Sequence, residues 1–496
     1  MSTVATPTPA VAATPLADNN QDVSETQLNA MLDAQRQAFA NETYPSLSTR
    51  LDRLDRCIDL IVTHQDKICE AVEKDFGCRS KHVTRFTDLF ISLQNLKFVK
   101  KNLKKWMKAE KRQAMFPAGL LGGSSTIHYQ PKGIVGVMTP WNVPVNMIFS
   151  PLADILGAGN RAMIKTSEFT PHTGELMKNL FKQYFNEDEV VIVTGGVETG
   201  IAFSKLPFGH LIFTGAGHIG KMVMQAAAQN LTPVTLELGG KSPVIISDGY
   251  KLEDAVDKLV ATKAMNGGQV CISPDYCFVP TAKLDTFIEQ CKSVAATHFP
   301  SFVDNPDFVS LINEGNFDRV KSYLDDAIAK GAQVISLDPT QADWNDRSKH
   351  KIPLHLVINP TDDMLVMQEE LFGPVLCVRT YDALDDCIDY INGKPNPLAL
   401  YYFGNDQAEQ DKIIKNTLAG AMTVNDLAMH FACDDLPFGG VGASGMGHYH
   451  GREGFKTFSH GKSVFKQGIL NLPKLAGLLP PYGKKIDDLS KKLIKR

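Results

Sequence analysis

Cys271 is the residue of this sequence best placed for covalent chemistry. Gly267 and Gly268 precede it closely, and two glycines permit a tight turn that would leave a cysteine accessible at a loop. A thiolate is a strong nucleophile near neutral pH, particularly where its surroundings lower its pKa. The alternative, a buried and inert cysteine, is the expected state of most of the nine cysteines in the chain.

Asn142 and Lys165 each follow or end a predicted strand. Asn142 lies between Pro140 and Pro144, which stiffen the backbone around one amide side chain and suit a fixed hydrogen-bond donor. A plain polar turn is the alternative for Asn142, and a solvated charge is the alternative for Lys165. These residues become candidates only in combination with others.

A glycine-rich hexamer runs from Gly215 to Gly220, after the strand-like run HLIFT and before a helical pattern. It fits G-x-G-x-x-G, in which backbone N–H groups at a helix start face a dinucleotide phosphate. The hexamer alone is weak, because such turns are common between strands and helices. The simple fingerprint would assign the following acid, Glu237, to the adenosine ribose.

The elements that must position these residues follow two patterns. Residues 24–111 show apolar positions at three- and four-residue spacing, which predicts helices. After residue 130, short β-rich runs alternate with amphipathic segments, which predicts parallel, doubly wound sheets. We expect two α/β units joined near Gly239 and Gly240, with a short strand at 126–129. The predicted strands are 134–139, 162–166, 190–195, 210–215, 234–240, 243–247, 277–280, 332–336, 354–358, 374–381 and 399–404.

Composition excludes several classes of protein. The 496 residues predict about three structural units, and 43% hydrophobic with 21% charged residues is globular composition. The net charge of −4 and the lack of a long basic stripe argue against nucleic acid as the main partner. No apolar stretch is long enough to predict a membrane span, and the cysteines lack metal-ligand spacing. The odd cysteine count and a first 35 residues without Lys or Arg predict a soluble, cytoplasmic protein.

Seven stretches in order together resemble the aldehyde dehydrogenase superfamily over nearly the whole chain. Within it the chain is most similar to the class 3 branch, through 75–80, 422–426 and 445–460, although Cys78 replaces an expected His. Bacterial coniferyl aldehyde dehydrogenases are the most similar group, and fatty aldehyde dehydrogenases come next. The seven stretches are TPWNVP (139–144), KTSEFTP (165–171), FTGAGHIG (213–220), LELGGKSP (236–243), GGQVCISPDY (267–276), EELFGPV (369–375) and LPFGGVGASGMG (436–447).

The resemblance implies a role for each candidate residue. Cys271 would be the nucleophile, and Asn142 would bind the oxyanion of a thiohemiacetal with the Cys271 backbone N–H. Glu237 would activate the water that hydrolyses the thioester, which overrides the ribose assignment above. The other implied residues bind the cofactor: Lys165 and Glu168 the adenosine ribose, Gly215 and Gly220 the phosphates, and Glu370 and Phe372 the nicotinamide end. No metal is implied.

The resemblance also implies a cofactor, a substrate and an assembly. An acid at Glu168 would repel a 2′-phosphate, so we expect NAD, with NADP possible because Lys165 tempers the repulsion. The expected reaction turns an aromatic, cinnamyl-type aldehyde into its acid, with medium or long aliphatic aldehydes as the alternative substrates. Acyl transfer to coenzyme A, a thiol esterase and a catalytically idle structural protein are the rival functions. Class 3 relatives are dimers, so 116–132 and 450–480 would form a homodimer interface.

The same reasoning divides the chain into two doubly wound α/β domains and a small β oligomerisation element. We expect a Rossmann-like NAD-binding domain, a catalytic domain, a disordered tail and two bridging segments. Their ranges are 24–115 with 133–239 for the NAD-binding domain, 240–435 for the catalytic domain, 1–23 for the tail, and 116–132 with 436–496 for the oligomerisation segments.

Overall fold

The computed structural model describes residues 22–116 and 118–494. The predicted disordered tail therefore lies outside the described residues as far as residue 21. Asp22 and Val23, the last part of that predicted tail, form hydrogen bonds with Thr199. Ordered structure thus extends at least two residues upstream of Ser24, the residue at which the first helix is capped.

The helices alternate with strands after an all-helical start. A π-helical segment, Arg85–Phe90, lies between the helices Lys81–Thr84 and Ile91–Trp106. The helices are Glu25–Asn41 (α1), Leu47–Phe76 (α2), Lys81–Thr84 (α3), Ile91–Trp106 (α4), Asn146–Ala158 (α5), Pro171–Tyr184 (α6), Val197–Ser204 (α7), Gly217–Ala228 (α8), Leu252–Ala264 (α9), Leu284–His298 (α10), Glu314–Ala329 (α11), Leu365–Gln368 (α12), Leu384–Asn392 (α13), Gln407–Asn416 (α14), Met429–Ala432 (α15), Gly451–Thr457 (α16), Leu472–Leu475 (α17) and Lys484–Leu493 (α18).

The strands form three sheets. They are Glu110–Arg112 (β1), Ser124–Pro131 (β2), Ile134–Met138 (β3), Arg161–Lys165 (β4), Val190–Val193 (β5), His210–Thr214 (β6), Val234–Glu237 (β7), Ser242–Ile246 (β8), Pro274–Pro280 (β9), Gln333–Ser336 (β10), His355–Ile358 (β11), Val375–Tyr381 (β12), Ala399–Phe403 (β13), Ala421–Val424 (β14), Gly445–Met446 (β15) and Ser459–Lys466 (β16). Each of the eleven runs predicted as strands after residue 130 overlaps one of these strands.

The first large sheet has six strands in the order β15-β7-β6-β3-β4-β5. Its four pairings from β7 to β5 are parallel, and strands such as β5 are buried on both faces because helices cover the sheet. The second sheet has seven strands in the order β10-β11-β12-β9-β8-β13-β14. These two sheets confirm the predicted doubly wound α/β class.

Two edge strands depart from the parallel pattern. β10 pairs antiparallel with β11, and β15 pairs antiparallel with β7. An edge strand has a partner on one side only, so its direction is less constrained by crossover helices than that of an inner strand. β1, β2 and β16 form a separate antiparallel sheet, which is the predicted small β element. No helix within the described residues is long and apolar enough to span a bilayer.

The first sheet brings several candidate residues to one edge. Lys165 ends β4, Glu237 ends β7, and Gly215 follows β6 directly. The carboxyl ends of parallel strands share one edge of a sheet, and ligands of open α/β sheets bind outside that edge. Asn142 lies at the same edge, because it follows β3 by a few residues.

Candidate active site

The backbone before Cys271 folds into a tight left-handed turn. Asn266, Gly267 and Gly268 have φ values of 52°, 61° and 73°. A side chain at Gly268 would collide with the carbonyl of Gly373, so only glycine fits there. The turn leaves Cys271 half-buried in a loop before β9, as the paired glycines predict.

Hydrogen bonds fix the loop that carries Cys271. Gln269 donates to the carbonyls of Asn266 (2.9 Å) and Ser310 (3.1 Å), and its side-chain oxygen accepts from the Ile312 N–H at 3.0 Å. Gln269 is fully buried, so these bonds do not compete with water. The position of the Cys271 sulfur is therefore set by buried backbone contacts and not by the flexibility of a surface loop.

Asn142 is tied to the same loop. Its amide nitrogen donates to the Gln269 carbonyl at 3.0 Å, and its own backbone carbonyl accepts from Arg79 (2.8 Å) and Asn266 (2.9 Å). A side-chain amide carries two N–H bonds, and the second has no partner among the described residues. Asn142 is 4% exposed, so the structure places one oriented, available donor beside the Cys271 loop.

A buried ion pair stabilises the backbone of Asn142. The Arg79 guanidinium lies 2.6 Å from the Asp88 carboxylate, and both side chains are fully buried. The other Asp88 oxygen accepts from the backbone N–H groups of Val145 (3.1 Å) and Asn146 (3.3 Å), at the start of α5. Asp88 lies in the π-helical segment. Arg79 lies in the segment between α2 and α3, and it thus holds that segment against the turn that carries Asn142.

Glu237 is a buried carboxyl without a hydrogen bond. It is 2% exposed at the end of β7, and neither of its side-chain oxygens has a partner among the described residues. Burial raises its pKa well above the ordinary value of 4.5. An unpartnered buried carboxyl is costly, and such groups concentrate at functional sites.

The Cys271 thiol is protonated at neutral pH. Burial of the sulfur raises its pKa to about 12, and the negative charges of Glu370 and Glu237 add to the effect. The backbone N–H groups of Cys271 and Ile272 donate to the sulfur and oppose the rise. The surroundings therefore do not lower this pKa as they would for a resting thiolate: burial raises it first, and two carboxylates from distant segments add to the rise.

The stretch that carries Glu370 and Phe372 lies between α12 and β12. Arg319 donates to the carbonyls of Leu371 (2.9 Å) and Phe372 (3.0 Å), and Phe372 has the strained φ of 39°. Burial raises the pKa of Glu370 to about 7, against a backbone hydrogen bond from Gly240 that lowers it. Glu370 is thus a carboxyl that changes its charge near neutral pH.

Aromatic rings surround the Cys271 loop. The Trp141 ring packs edge-on to the Phe372 ring at 5.3 Å, and the Tyr401 hydroxyl donates to the Ile272 carbonyl at 2.6 Å. Burial raises the pKa of the Tyr449 hydroxyl, and the charges of Glu237 and Cys271 add to that rise. A continuous set of rings, with centroids 4.7–6.2 Å apart, consists of Tyr401, His430, Phe431, Phe438, Tyr449 and His450.

Lys165 and Glu168 lie at the far end of the same sheet edge. The Lys165 ammonium donates to the Thr166 carbonyl at 2.7 Å and lies 3.7 Å from the Glu168 carboxylate. Burial lowers the pKa of Lys165, and the Glu168 charge counteracts that shift. Two strands, β6 and β3, separate β4 from β7, so Lys165 and Glu237 are about 14 Å apart across the sheet. One ribose cannot reach both residues, which argues against the fingerprint's assignment of Glu237.

The turn from Gly215 to Gly220 joins β6 to the N-terminus of α8. α8 begins at Gly217, with two residues between it and the end of β6, and no neighbouring side chain or strand lies within 4 Å of where a Gly217 side chain would begin. At Gly220, a Cβ atom would lie 2.6 Å from the Leu238 side chain, so glycine permits the close packing of helix and strand. Open N–H groups at a helix start, with a buried ammonium at Lys165, fit a dinucleotide.

Five residues of this site were not among the sequence-based candidates: Arg79, Gln269, Arg319, Tyr401 and Tyr449. Arg79 lies in the 75–80 stretch and Gln269 in the 267–276 stretch, so both were within matched motifs without an assigned role. Tyr449 likewise lies in the 445–460 stretch without an assigned role, whereas Arg319 and Tyr401 lie outside every matched stretch. Their importance follows from contacts that cross the fold, which spacing along the chain does not reveal.

Comparisons with known proteins show the family of this chain. The family model described as "Aldehyde dehydrogenase family" matches residues 3–464. A Caulobacter vibrioides "Probable coniferyl aldehyde dehydrogenase" is 48% identical, over 94% of this chain and 96% of its own. A Pseudomonas sp. "Coniferyl aldehyde dehydrogenase" is 45% identical, over 95% and 97%. A rat "Aldehyde dehydrogenase, dimeric NADP-preferring" is 34% identical, over 90% and 96%.

Two solved structures superpose closely on this one. A substrate-bound Staphylococcus aureus AldH has a TM-score of 0.87 at 33% identity, covering 94% of this chain and 99% of its own. A Mycobacterium tuberculosis aldehyde dehydrogenase in complex with NAD⁺ has a TM-score of 0.81 at 26% identity, covering 91% and 92%. The chain therefore belongs to the aldehyde dehydrogenase family and is an NAD(P)-dependent enzyme that oxidises an aldehyde to a carboxylic acid.

Proposed function

We propose that this enzyme oxidises an aromatic, cinnamyl-type aldehyde such as coniferyl aldehyde, with Cys271 as its nucleophile. The observation that carries the proposal is the arrangement around Cys271: a rigid left-handed turn, the free N–H of Asn142 and two nearby carboxyls. The aromatic rings near the thiol suit a flat aromatic substrate, because offset and edge-on ring pairs are favourable. Two relatives with 45–48% identity are named coniferyl aldehyde dehydrogenases.

Bond formation begins with loss of the thiol proton from Cys271. The Cys271 sulfur attacks the carbonyl carbon and forms a thiohemiacetal, whose oxyanion accepts hydrogen bonds from the Asn142 side chain and the Cys271 backbone N–H. Glu370, whose charge acts on the thiol, is the base for that proton in this proposal, because burial raises its pKa to about 7. The buried Arg79–Asp88 pair keeps Asn142 in its donor geometry.

Two regions of the sheet edge bind the cofactor in this proposal. Lys165 and Glu168 bind the adenosine ribose, and the Gly215–Gly220 turn binds the phosphates. Glu370 and Phe372 bind the nicotinamide end, where Arg319 fixes the backbone. The bound cofactor supplies the acceptor for the hydride that leaves the thiohemiacetal carbon. NAD is the preferred form, because Glu168 disfavours a 2′-phosphate.

Glu237 completes the reaction by activating water. Loss of hydride leaves a thioester on Cys271, and Glu237 takes a proton from the water that attacks it, so that the free acid leaves and the thiol is restored. An unpartnered buried carboxyl with a raised pKa is suited to that role. Acyl transfer to coenzyme A would not need this base. A thiol esterase would not need the cofactor-binding residues.

The decisive experiment is mass analysis during turnover with coniferaldehyde. We expect an acyl group on the Cys271 peptide, and none in Cys271→Ala. Product formed without that adduct would overturn the mechanism. Rates with coniferaldehyde, benzaldehyde, hexanal and decanal, each with NAD and with NADP, test the substrate and cofactor. Faster oxidation of decanal than of coniferaldehyde would favour the alternative, a medium- or long-chain fatty aldehyde dehydrogenase.

The proposal extends to assembly and location. Residues 116–132 and 450–480 form a homodimer interface, supported by exposed apolar side chains on and around the small antiparallel sheet, among them Phe116, Leu120, Phe465 and Ile469. The domain ranges given above are part of the same proposal, supported by the division of the strands between two sheets. All nine cysteines are free thiols, which supports a reducing, cytoplasmic location.

A further inference from the structure

Asp22 occupies the N-terminus of α7. Its Oδ1 accepts hydrogen bonds from the Gly196 N–H (2.8 Å), the Thr199 N–H (3.3 Å) and the Thr199 hydroxyl (2.8 Å). The Val23 N–H also donates to the Thr199 hydroxyl, at 2.9 Å. The first N–H groups of a helix otherwise lack partners and attract anions. In this chain a carboxylate from the upstream segment already accepts from two N–H groups at this helix start, those of Gly196 and Thr199.

The α7 N-terminus lies next to the Lys165 ammonium. Lys165, the last residue of β4, pairs with Val193, the last residue of the neighbouring strand β5, and α7 begins four residues further along. The charges of both Asp22 and Glu168 act on the ammonium and favour its charged form. Asp22 therefore adds a second carboxylate to the place where the proposed function puts the adenosine ribose.

The local charge balance is negative. Lys178 brings a second ammonium to the residue after β5: its nitrogen lies 3.4 Å from the Thr194 hydroxyl and 3.7 Å from the Glu175 carboxylate. Three carboxylates, those of Asp22, Glu168 and Glu175, face these two cations. A 2′-phosphate carries about two negative charges and would need both a free helix N-terminus and excess positive charge.

We propose that Asp22 is a specificity-determining residue that makes the enzyme select NAD over NADP. It does so by occupying the α7 N–H donors that a 2′-phosphate would use, and by repelling that phosphate beside Lys165. The inference rests on the proposed function only in taking Lys165 and Glu168 as the ribose ligands. Family membership leaves this preference open, since the rat relative is named NADP-preferring.

Asp22→Asn is the informative variant. The amide keeps an oxygen that can accept the α7 hydrogen bonds, and it removes the charge. We expect isothermal titration calorimetry of the full-length protein to show 2′,5′-ADP binding about tenfold more tightly in this variant, with 5′-ADP binding changed less than twofold. The ratio of kcat/KM for NADP to that for NAD should rise in parallel. Asp33→Asn on α1 is the matched control, because Asp33 is exposed and pairs with Arg36.

The other outcomes separate this inference from the proposed function. Lys165→Ala should weaken the binding of 5′-ADP and 2′,5′-ADP alike. If it leaves 5′-ADP binding unchanged, the ribose assignment itself is wrong. If Lys165→Ala weakens both but Asp22→Asn changes the affinity ratio less than twofold, or changes both affinities equally, the role of Asp22 is overturned. Asp22→Ala also removes the hydrogen bonds. It should raise the ratio of 2′,5′-ADP affinity to 5′-ADP affinity at least as much as Asp22→Asn does, and it should lower the Tm.

Discussion

The charged groups at the two ends of the proposed site differ in whether they have partners. At the Cys271 region, defined by Cys271, Glu237 and Glu370, the carboxyls have raised pKa values and Glu237 has no hydrogen-bond partner. At the Lys165 region, defined by Lys165, Glu168 and Asp22, each charged group lies beside an opposite charge or accepts backbone N–H donors. A group whose charge must change during a reaction gains from a weakly solvated, unpaired environment, whereas a binding group gains from fixed charge.

Cys271→Ala should have the largest effect of any single change. Dehydrogenase activity should fall by at least about a thousandfold, because no other thiol lies at the turn that Asn142 and Glu237 face. Binding of 5′-ADP, which depends on the Lys165 region, should change less than twofold. Steady-state rates and calorimetry check the two parts, and loss of nucleotide affinity in this variant would show that the two regions are not independent.

Glu237→Gln should stall the enzyme after hydride transfer. The amide fills the same space but cannot accept the proton of water, so steady turnover should fall by about 100- to 10,000-fold. One equivalent of reduced cofactor should form rapidly per Cys271, which stopped-flow absorbance measures. Glu168→Gln is the matched control in the Lys165 region and should keep full turnover at saturating cofactor. Near-normal turnover of Glu237→Gln would remove Glu237 from its assigned role.

Asn142→Ala should lower kcat by about 100- to 1000-fold, the usual cost of one oxyanion donor. The alkylation rate of Cys271 should stay within about threefold, because Gln269 and the glycine turn fix the loop without Asn142. Comparison of kcat with the iodoacetamide rate checks this. A parallel fall of both rates would assign Asn142 to the structure of the loop and not to the oxyanion.

The fold was readable from the sequence because its inner strands are continuous apolar runs such as Val190–Val193. Of the two antiparallel edge strands, β10 was predicted by the run 332–336, whereas β15 was not, because it has only two residues. The paired glycines at 267 and 268 predicted a turn, and both have positive φ. Local spacing therefore carries information on strands and turns that form from neighbouring residues.

What the sequence could not supply are contacts between distant segments. The pKa of Cys271 is raised because the fold buries the sulfur and, to a smaller extent, because it brings Glu370 and Glu237 near it. Asp22 and Gly196 are 174 positions apart, and nothing in a predicted disordered tail suggests that one of its residues accepts from a helix N-terminus. Arg79 likewise reaches the Asn142 carbonyl from 63 positions away. Charge and donor placement at the site are tertiary properties.

The smallest effect we predict is on the reactivity of the resting thiol, and it sharpens the contrast between the two regions. With the Cys271 pKa raised to about 12, alkylation by iodoacetamide without cofactor should be slow at about pH 7 and still rising at about pH 9. Glu370, with a pKa of about 7, is ionised at the higher pH, and its charge then opposes formation of the thiolate.

Glu370→Gln removes that charge, so the thiol pKa should fall and alkylation at about pH 9 should accelerate about three- to tenfold. At about pH 6, where Glu370 is mostly protonated, the variant and the original enzyme should react at similar rates. Glu168→Gln removes a carboxylate from the Lys165 region and should leave the profile unchanged, because that charge does not act on the sulfur. Equal acceleration by both variants would mean that the thiol responds to net charge, and the separation of the two regions would then be wrong.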